Sequence, residues 1–333
     1  MPELRTLPIG KTIGIILQFA VGAGLLALLS SMVDLRQIGR LLLGAKLMPL
    51  IAALLLLALD FLLRAMRFRE MLTAASGTPM PLRSLVAPFV ASFGISDLLP
   101  LRIGDGFRLV WFSRQCAMPF GAVVGAMIVE RLMDLTAILV LGVIGFVGMH
   151  PEVLGAHRDL VLVGALGLAV ALLAAQRLML LAQRWLLRMQ AGRETFLSRQ
   201  AGLAITTIET VRQLAARRYA AGLTLLSVLI WMIEAGVMFC TWASLGDAPV
   251  SPFVLLFAFA SATIATLFPS LPGHFGTFEF AGVEAFALAG TDRSTAAAAV
   301  LLTHILLWAP IALFAIGWLV RRMSYGMRPF AAG

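Results

Sequence analysis

Charge is scarce in this chain. Only 13% of its 333 residues are Asp, Glu, Lys or Arg, against 60% hydrophobic residues and a mean hydropathy of +0.95. A soluble domain of this length would expose far more ionised surface, so composition excludes one and leaves an integral membrane protein. Cysteine is nearly absent: Cys116 and Cys240 stand alone in apolar sequence without metal-ligand spacing, which excludes a disulfide framework and a zinc site. Also missing are a G-x-x-x-x-G-K-[ST] phosphate loop, an H-x-x-x-x-x-H or K-x-x-x-x-x-x-R-P cluster, a D-D-x-x-D metal site, and a nucleophilic Ser, Cys or His beside a base. The chain is therefore expected to use no ATP, to hold no cofactor and not to be an enzyme.

What is present is a series of apolar runs punctuated by arginine. Ile13–Met32, Leu47–Leu63, Pro119–Met149, Leu160–Ala182, Tyr219–Leu245 and Thr295–Val320 read as full spans. The first is expected to be retained, because its uncharged core is longer than that of a signal peptide and no small-residue cleavage site follows. Two further runs, Leu85–Leu99 and Pro252–Phe268, fall short of the roughly 20 residues a crossing needs and end in Pro and Gly. With their returning segments, Phe107–Met118 and Phe278–Ala289, they read as re-entrant hairpins. Arginine-rich Gln183–Arg218 reads as an amphipathic helix on the membrane surface.

The net charge of +9 does not point to nucleic acid, because its arginines sit at the ends of spans. With the N-terminus in the cytoplasm, 18 Lys and Arg fall inside and five outside, Arg64, Arg67, Arg69 and Arg83 counting among the inside group. That bias predicts an all-α polytopic fold with both termini cytoplasmic. The expected unit is one transmembrane domain over 1–333, with approximate halves 84–182 and 219–320 joined by a linker over 183–218. Three spans separate the hairpins, so they enter from opposite sides and form an inverted repeat, the architecture of alternating-access carriers.

Both hairpins carry ionisable groups where the helix breaks. The first reads Leu98-Leu99-Pro100-Leu101-Arg102-Ile103-Gly104-Asp105-Gly106-Phe107-Arg108, and the second ends Pro272-Gly273-His274-Phe275-Gly276-Thr277-Phe278-Glu279. A charge at the bilayer centre costs about 2.5–3.5 kcal/mol on insertion scales, so these groups are expected to share a polar cavity. On the third span, Glu130, Arg131 and Asp134 occupy overlapping faces, which allows an Arg131–Asp134 pair and leaves Glu130 for Arg102 or Arg108. The second half offers Glu279, His274 and His304, with Glu234, Glu284 and Asp60 as weaker candidates. Arginines on one wall and carboxylates on the other suit a headgroup bearing a phosphate and an amine. A structural ion pair accounts for Arg131 and Asp134 equally well, helix capping accounts for Asp105, and packing is the default for each histidine.

Three patterns in this order, L-L-P-x-R-x-G-D-x-x-R at Leu98–Arg108, E-R-x-x-D at Glu130–Asp134 and P-G-x-x-G-x-x-E at Pro272–Glu279, resemble the lysylphosphatidylglycerol synthase transmembrane, or flippase-like, family. This is the membrane half of the multiple peptide resistance factor, and the likeness covers about residues 10 to 320. It implies movement of a phospholipid or lipid-linked headgroup between leaflets, with Arg102, Asp105, Arg108, Glu130, Arg131, Asp134 and Glu279 at the matching positions. The chain departs from the pattern at His274 and Phe275, where the family more often has a small glycine-rich turn. Thirteen residues follow Val320, so no soluble synthetase domain is expected and the chain itself would not aminoacylate lipid.

Three functions follow for test. A carrier would change only the sidedness of a lipid, an intramembrane lipid-phosphate enzyme would change its mass, and a scaffold would serve a lipid-modifying enzyme without moving lipid. The expected partners are membrane lipids with anionic or zwitterionic headgroups, then a second copy of the chain or a lipid-modifying enzyme.

Overall fold

The computed structural model describes residues 9–77, 79–100, 103–149, 196–246, 249–268 and 270–324. Arg102 and the expected span Leu160–Ala182 lie outside these residues, as does the first part of the expected surface helix. Among the described residues every regular element is helical. In chain order these are α1 (Ile9–Met32), α2 (Leu35–Leu43), α3 (Leu47–Ser76), α4 (Leu82–Leu98), α5 (Ile103–Gln115), α6 (Phe120–Gly148), α7 (Phe196–Leu214), α8 (Arg217–Leu245), α9 (Pro252–Ala265), α10 (Thr277–Leu288) and α11 (Arg293–Ser324). By length and apolar content α3, α8 and α11 can each cross a membrane, and a fourth crossing is added if α1 and α2, bent by 91°, count as one span.

Local sequence sets these boundaries. Asp34 caps α2, its carboxylate accepting from Arg36 N at 2.8 Å and Gln37 N at 3.3 Å. Gly77, in the left-handed region at φ 70°, closes α3. Ser251 caps α9 ahead of Pro252 in its first turn, where the missing N–H costs nothing.

α3 corrects the expected second span. The apolar run was expected to end at Leu63, with Arg64 and Arg67 in a cytoplasmic loop, but the helix continues to Ser76 and both arginines are buried, at 5% and 0% exposure. Its buried face, Ala53, Leu57, Asp60, Arg64, Arg67, Phe68 and Met71, keeps the helical period through the charged residues. Arg64 and Arg67 therefore leave the inside count and join the interior.

Hairpins α4–α5 and α9–α10 are both present as helix, break, helix, with their arms packed on each other. At the first break Gly104 lies against α4, where a Cβ would overlap the Ser92 carbonyl oxygen. Around the hairpins, α3 packs along α8, α6 lies against α9 and α7, and α11 runs between α4 and α10. α7 is the described part of the segment read as a surface helix; its Ile205, Ile208 and Val211 are buried against the bundle. Leu54, Leu55, Leu59, Leu225, Leu229, Leu313 and Phe314 point outward, an apolar exterior that suits acyl chains.

Candidate functional site

The breaks of the two hairpins meet. Ser96, Leu99 and Pro100 from the first and Thr266, Phe268, Leu271, Gly273 and His274 from the second line one cavity of about 260 Å³. A second cavity, of about 200 Å³, shares Ser96, Thr266, Gly273 and His274 with it and extends between α3, α6, α8 and α11. Both far exceed the ~10–15 Å³ that one water needs. The second is lined by Asp60, Arg64, Asp97, Asp105, Arg131, Glu234, His274 and His304, interleaved with Phe61, Phe93, Trp231 and Trp308. Among the described residues no group of three or more His, Cys, Asp or Glu is placed to hold a metal ion.

The expected site residues divide into two sets. Asp105 and Arg131 reach the cavity, paired at 2.9 Å with side chains 31% and 42% exposed. Asp105 sits in the first turn of α5, where the helix dipole favours a carboxylate. His274 and His304 also line the cavity. Arg108, Glu130, Asp134 and Glu279 are 0%, 1%, 5% and 3% exposed and stand behind its wall.

Behind the first hairpin, Arg108 Nη1 donates to both Glu130 oxygens at 3.0 and 3.2 Å, joining α5 to α6 as one of the two sequence alternatives required. The guanidinium lies 5.0–5.3 Å from the rings of Phe68, Phe89 and Phe93, an aromatic box that adds cation–π attraction. Its Nη2 stands 3.5 Å from Asp105. A fully enclosed arginine with a bidentate carboxylate holds two helices in register; a substrate cannot reach it.

Behind the second hairpin, Glu279 occupies the N3 position of α10, and its Oε2 accepts from Gly276 N at 2.7 Å. Oε1 meets His304 Nδ1 at 2.5 Å, and His304 Nε2 reaches Gly273 O at 2.8 Å. A carbonyl only accepts, so Nε2 carries a proton, and one further proton lies between Nδ1 and Oε1. Phe275 and Phe278 flank the imidazole, each with ring centroids at 4.5 Å. The break itself is formed by left-handed Gly273 (φ 71°) and His274 (φ 64°). A non-glycine residue there stores backbone strain, and it faces the cavity.

The expected Arg131–Asp134 pairing is overturned. Arg131 turns to Asp105, while Asp134 bonds Arg67 at 2.6 Å and accepts from Trp231 Nε1 at 3.0 Å. These belong to a cluster that sequence reasoning underweighted. Arg64 Nε donates to Asp60 at 2.7 Å, its Nη2 pairs with Glu234 of α8, its Nη1 stands 3.9 Å from Asp134, and its guanidinium lies 4.5 Å from the Trp231 ring centroid. Asp97, at the end of α4, was missed as well. The available signal was the i, i+4 spacing of Asp60 and Arg64 inside a run that stays helical to Met71.

Helices with an apolar exterior around a charge-lined cavity at the meeting of two broken helices define a polytopic membrane protein with an internal polar site. The family can be stated too. The sequence model described as the lysylphosphatidylglycerol synthase TM region matches residues 15–315, and the chain belongs to that family. A search of curated proteins gives no match.

Proposed function

We propose that this protein carries a phospholipid or lipid-linked headgroup between the leaflets of a bacterial inner membrane, as a carrier and not a catalyst. The headgroup enters the cavity between the hairpin breaks while the acyl chains stay against the apolar exterior. In this reading the chain makes six spans with both termini cytoplasmic, and the hairpins are re-entrant halves of an inverted repeat. Support comes from family membership, from the two breaks lining one cavity, and from the mixed charged and aromatic lining of the second cavity that shares Ser96, Thr266, Gly273 and His274 with it.

One observation carries the proposal: Asp105 and Arg131 face the cavity as a half-exposed pair, while the neighbouring Arg108–Glu130 pair is sealed. A partly solvated pair can exchange partners with a zwitterion, carboxylate to amine and guanidinium to phosphate.

The test is lipid sidedness in liposomes holding the purified chain, across a panel of headgroups. Arg131→Ala is expected to slow headgroup movement at least tenfold while shifting stability by only ~0.2–1 kcal/mol, the range for an exposed pair. Arg108 is the wrong probe, because its loss attacks the fold. Unchanged movement in Arg131→Ala, or no movement above protein-free liposomes for any headgroup, would overturn the carrier reading. A change of lipid mass in the same samples would replace it with catalysis.

A further inference from the structure

The cluster beneath the cavity is short of one positive charge. Asp60, Asp134 and Glu234 supply three carboxylates, and Arg64 and Arg67 supply two guanidiniums. Arg67 serves Asp134, leaving Asp60 and Glu234 to share Arg64. Among the described residues the surrounding wall does not correct this. Arg131 is matched by Asp105 and Arg108 by Glu130, while His304 spends both ring nitrogens on Glu279 and Gly273. Asp97 and His274 also line this cavity.

A net charge enclosed at this depth is costly and is relieved by taking up a proton or another cation. Of two buried oxygens without a hydrogen bond, the one on Asp60 marks where it would go, since Asp134 is already served by Arg67. Asp60 Oδ1 and Asp134 Oδ2 accept no hydrogen bond from any described residue, although their residues are 1% and 5% exposed. Asp60 and Glu234 both line the cavity, which gives them access to its water. Among the described residues no group of three or more His, Cys, Asp or Glu is placed to hold a metal ion, and a proton needs only the two carboxylates.

We infer that Asp60 and Glu234, sharing the Arg64 guanidinium, form a binding site for one exchangeable proton taken from the cavity. Loading is a plain protonation: one carboxylate oxygen gains H+ and becomes a hydroxyl, the other keeps Arg64, and the cluster becomes neutral. Release to the cavity restores the negative charge. Two carboxylates competing for one cation titrate as a pair, so the proton belongs to both. In the carrier reading, and resting on it, this site lets a proton gradient bias the charge the headgroup meets; the site itself stands without that reading.

The experiment is infrared difference spectroscopy on the full chain in nanodiscs, stepping from mildly acidic to alkaline pH. A protonated-carboxyl band that shifts in D2O and disappears at alkaline pH is expected in the wild type, and is expected to be lost in Glu234→Gln and in Asp60→Asn. Each variant is accepted only if it elutes and melts as a folded protein, and either one suffices. Retention of the band in Glu279→Gln separates the site from the His304 pair. A titrating band that survives in a folded Glu234→Gln or Asp60→Asn, or no band in the wild type, would overturn the proposal. A band that Na+ removes at fixed pH would replace the proton with a sodium ion. None of these readouts requires lipid movement, so failure here and failure of the carrier reading are distinguishable.

Discussion

The two hairpins each place ionised chemistry at a broken helix in apolar surroundings, and they stabilise it by different means. In α4–α5 the cation is an arginine, Arg108, bonded by Glu130 and boxed by three phenylalanines. Behind α9–α10 the partner is His304 of α11, which shares one proton with Glu279, a carboxylate that also caps its own helix. The first hairpin is tied to α6 by charge, and the second to α11 by a proton. The difference teaches that the first lock is an ion pair sealed by aromatic rings, whereas the second hangs on a single proton held between imidazole and carboxylate.

The largest expected effect tests that distinction. Glu130→Ala strands the Arg108 charge in its aromatic box and is expected to destabilise the protein by ~3–5 kcal/mol, read as a lower unfolding midpoint in detergent. Adding Arg108→Met to Glu130→Ala removes the stranded charge and is expected to restore most of the loss. Glu279→Ala is expected to cost less, ~1–3 kcal/mol, because His304 keeps its bond to Gly273 and the loss is mainly the Gly276 N–H left without an acceptor. Equal losses in Glu130→Ala and Glu279→Ala would break the comparison. Arg131→Ala, at the exposed end of the first hairpin, is expected to change stability least of these three, so its effect on headgroup movement would report on the cavity alone.

These contrasts were only partly legible in the sequence. The breaks were visible, because Pro100 with Gly104 and Pro272 with Gly273 and Gly276 interrupt runs too short to cross. The Arg108–Glu130 pair was within reach, since a buried arginine needs a carboxylate and the next helix supplies one. Arg64 and Arg67 were not, because a count of positive residues cannot tell a charge beyond a helix end from one on the buried face of a longer helix. Deciding that required Glu234, 170 residues away, and the register of α3 against α8. Arg131 misled for a related reason: Asp134 is near in sequence, but the 3.6-residue period turns it with Glu130 to the buried face, where it meets Arg67 of α3, and leaves Arg131 facing the cavity and Asp105.

The smallest effect supplies the baseline for any pH study of the two locks. Asp292 lies in the turn between the second hairpin and α11, outside the spans, where its Oδ2 accepts from Thr295 N at 2.9 Å and from Gln37 Nε2 at 3.0 Å. The Thr295 backbone N–H, then its hydroxyl and the Gln37 amide, hold this carboxyl below its ordinary 3.8 even though burial opposes them. A carboxylate lowered by folding stabilises the folded state fully above about pH 5, and the contribution disappears as pH falls through the lowered value. Because the group is largely exposed, screening holds the gain to a few tenths of a kcal/mol, about 0.3. Asp292→Asn keeps a capping oxygen and removes the titration, so its unfolding midpoint is expected to fall less steeply than wild type below pH 4 and to match it within about 1 °C at pH 7.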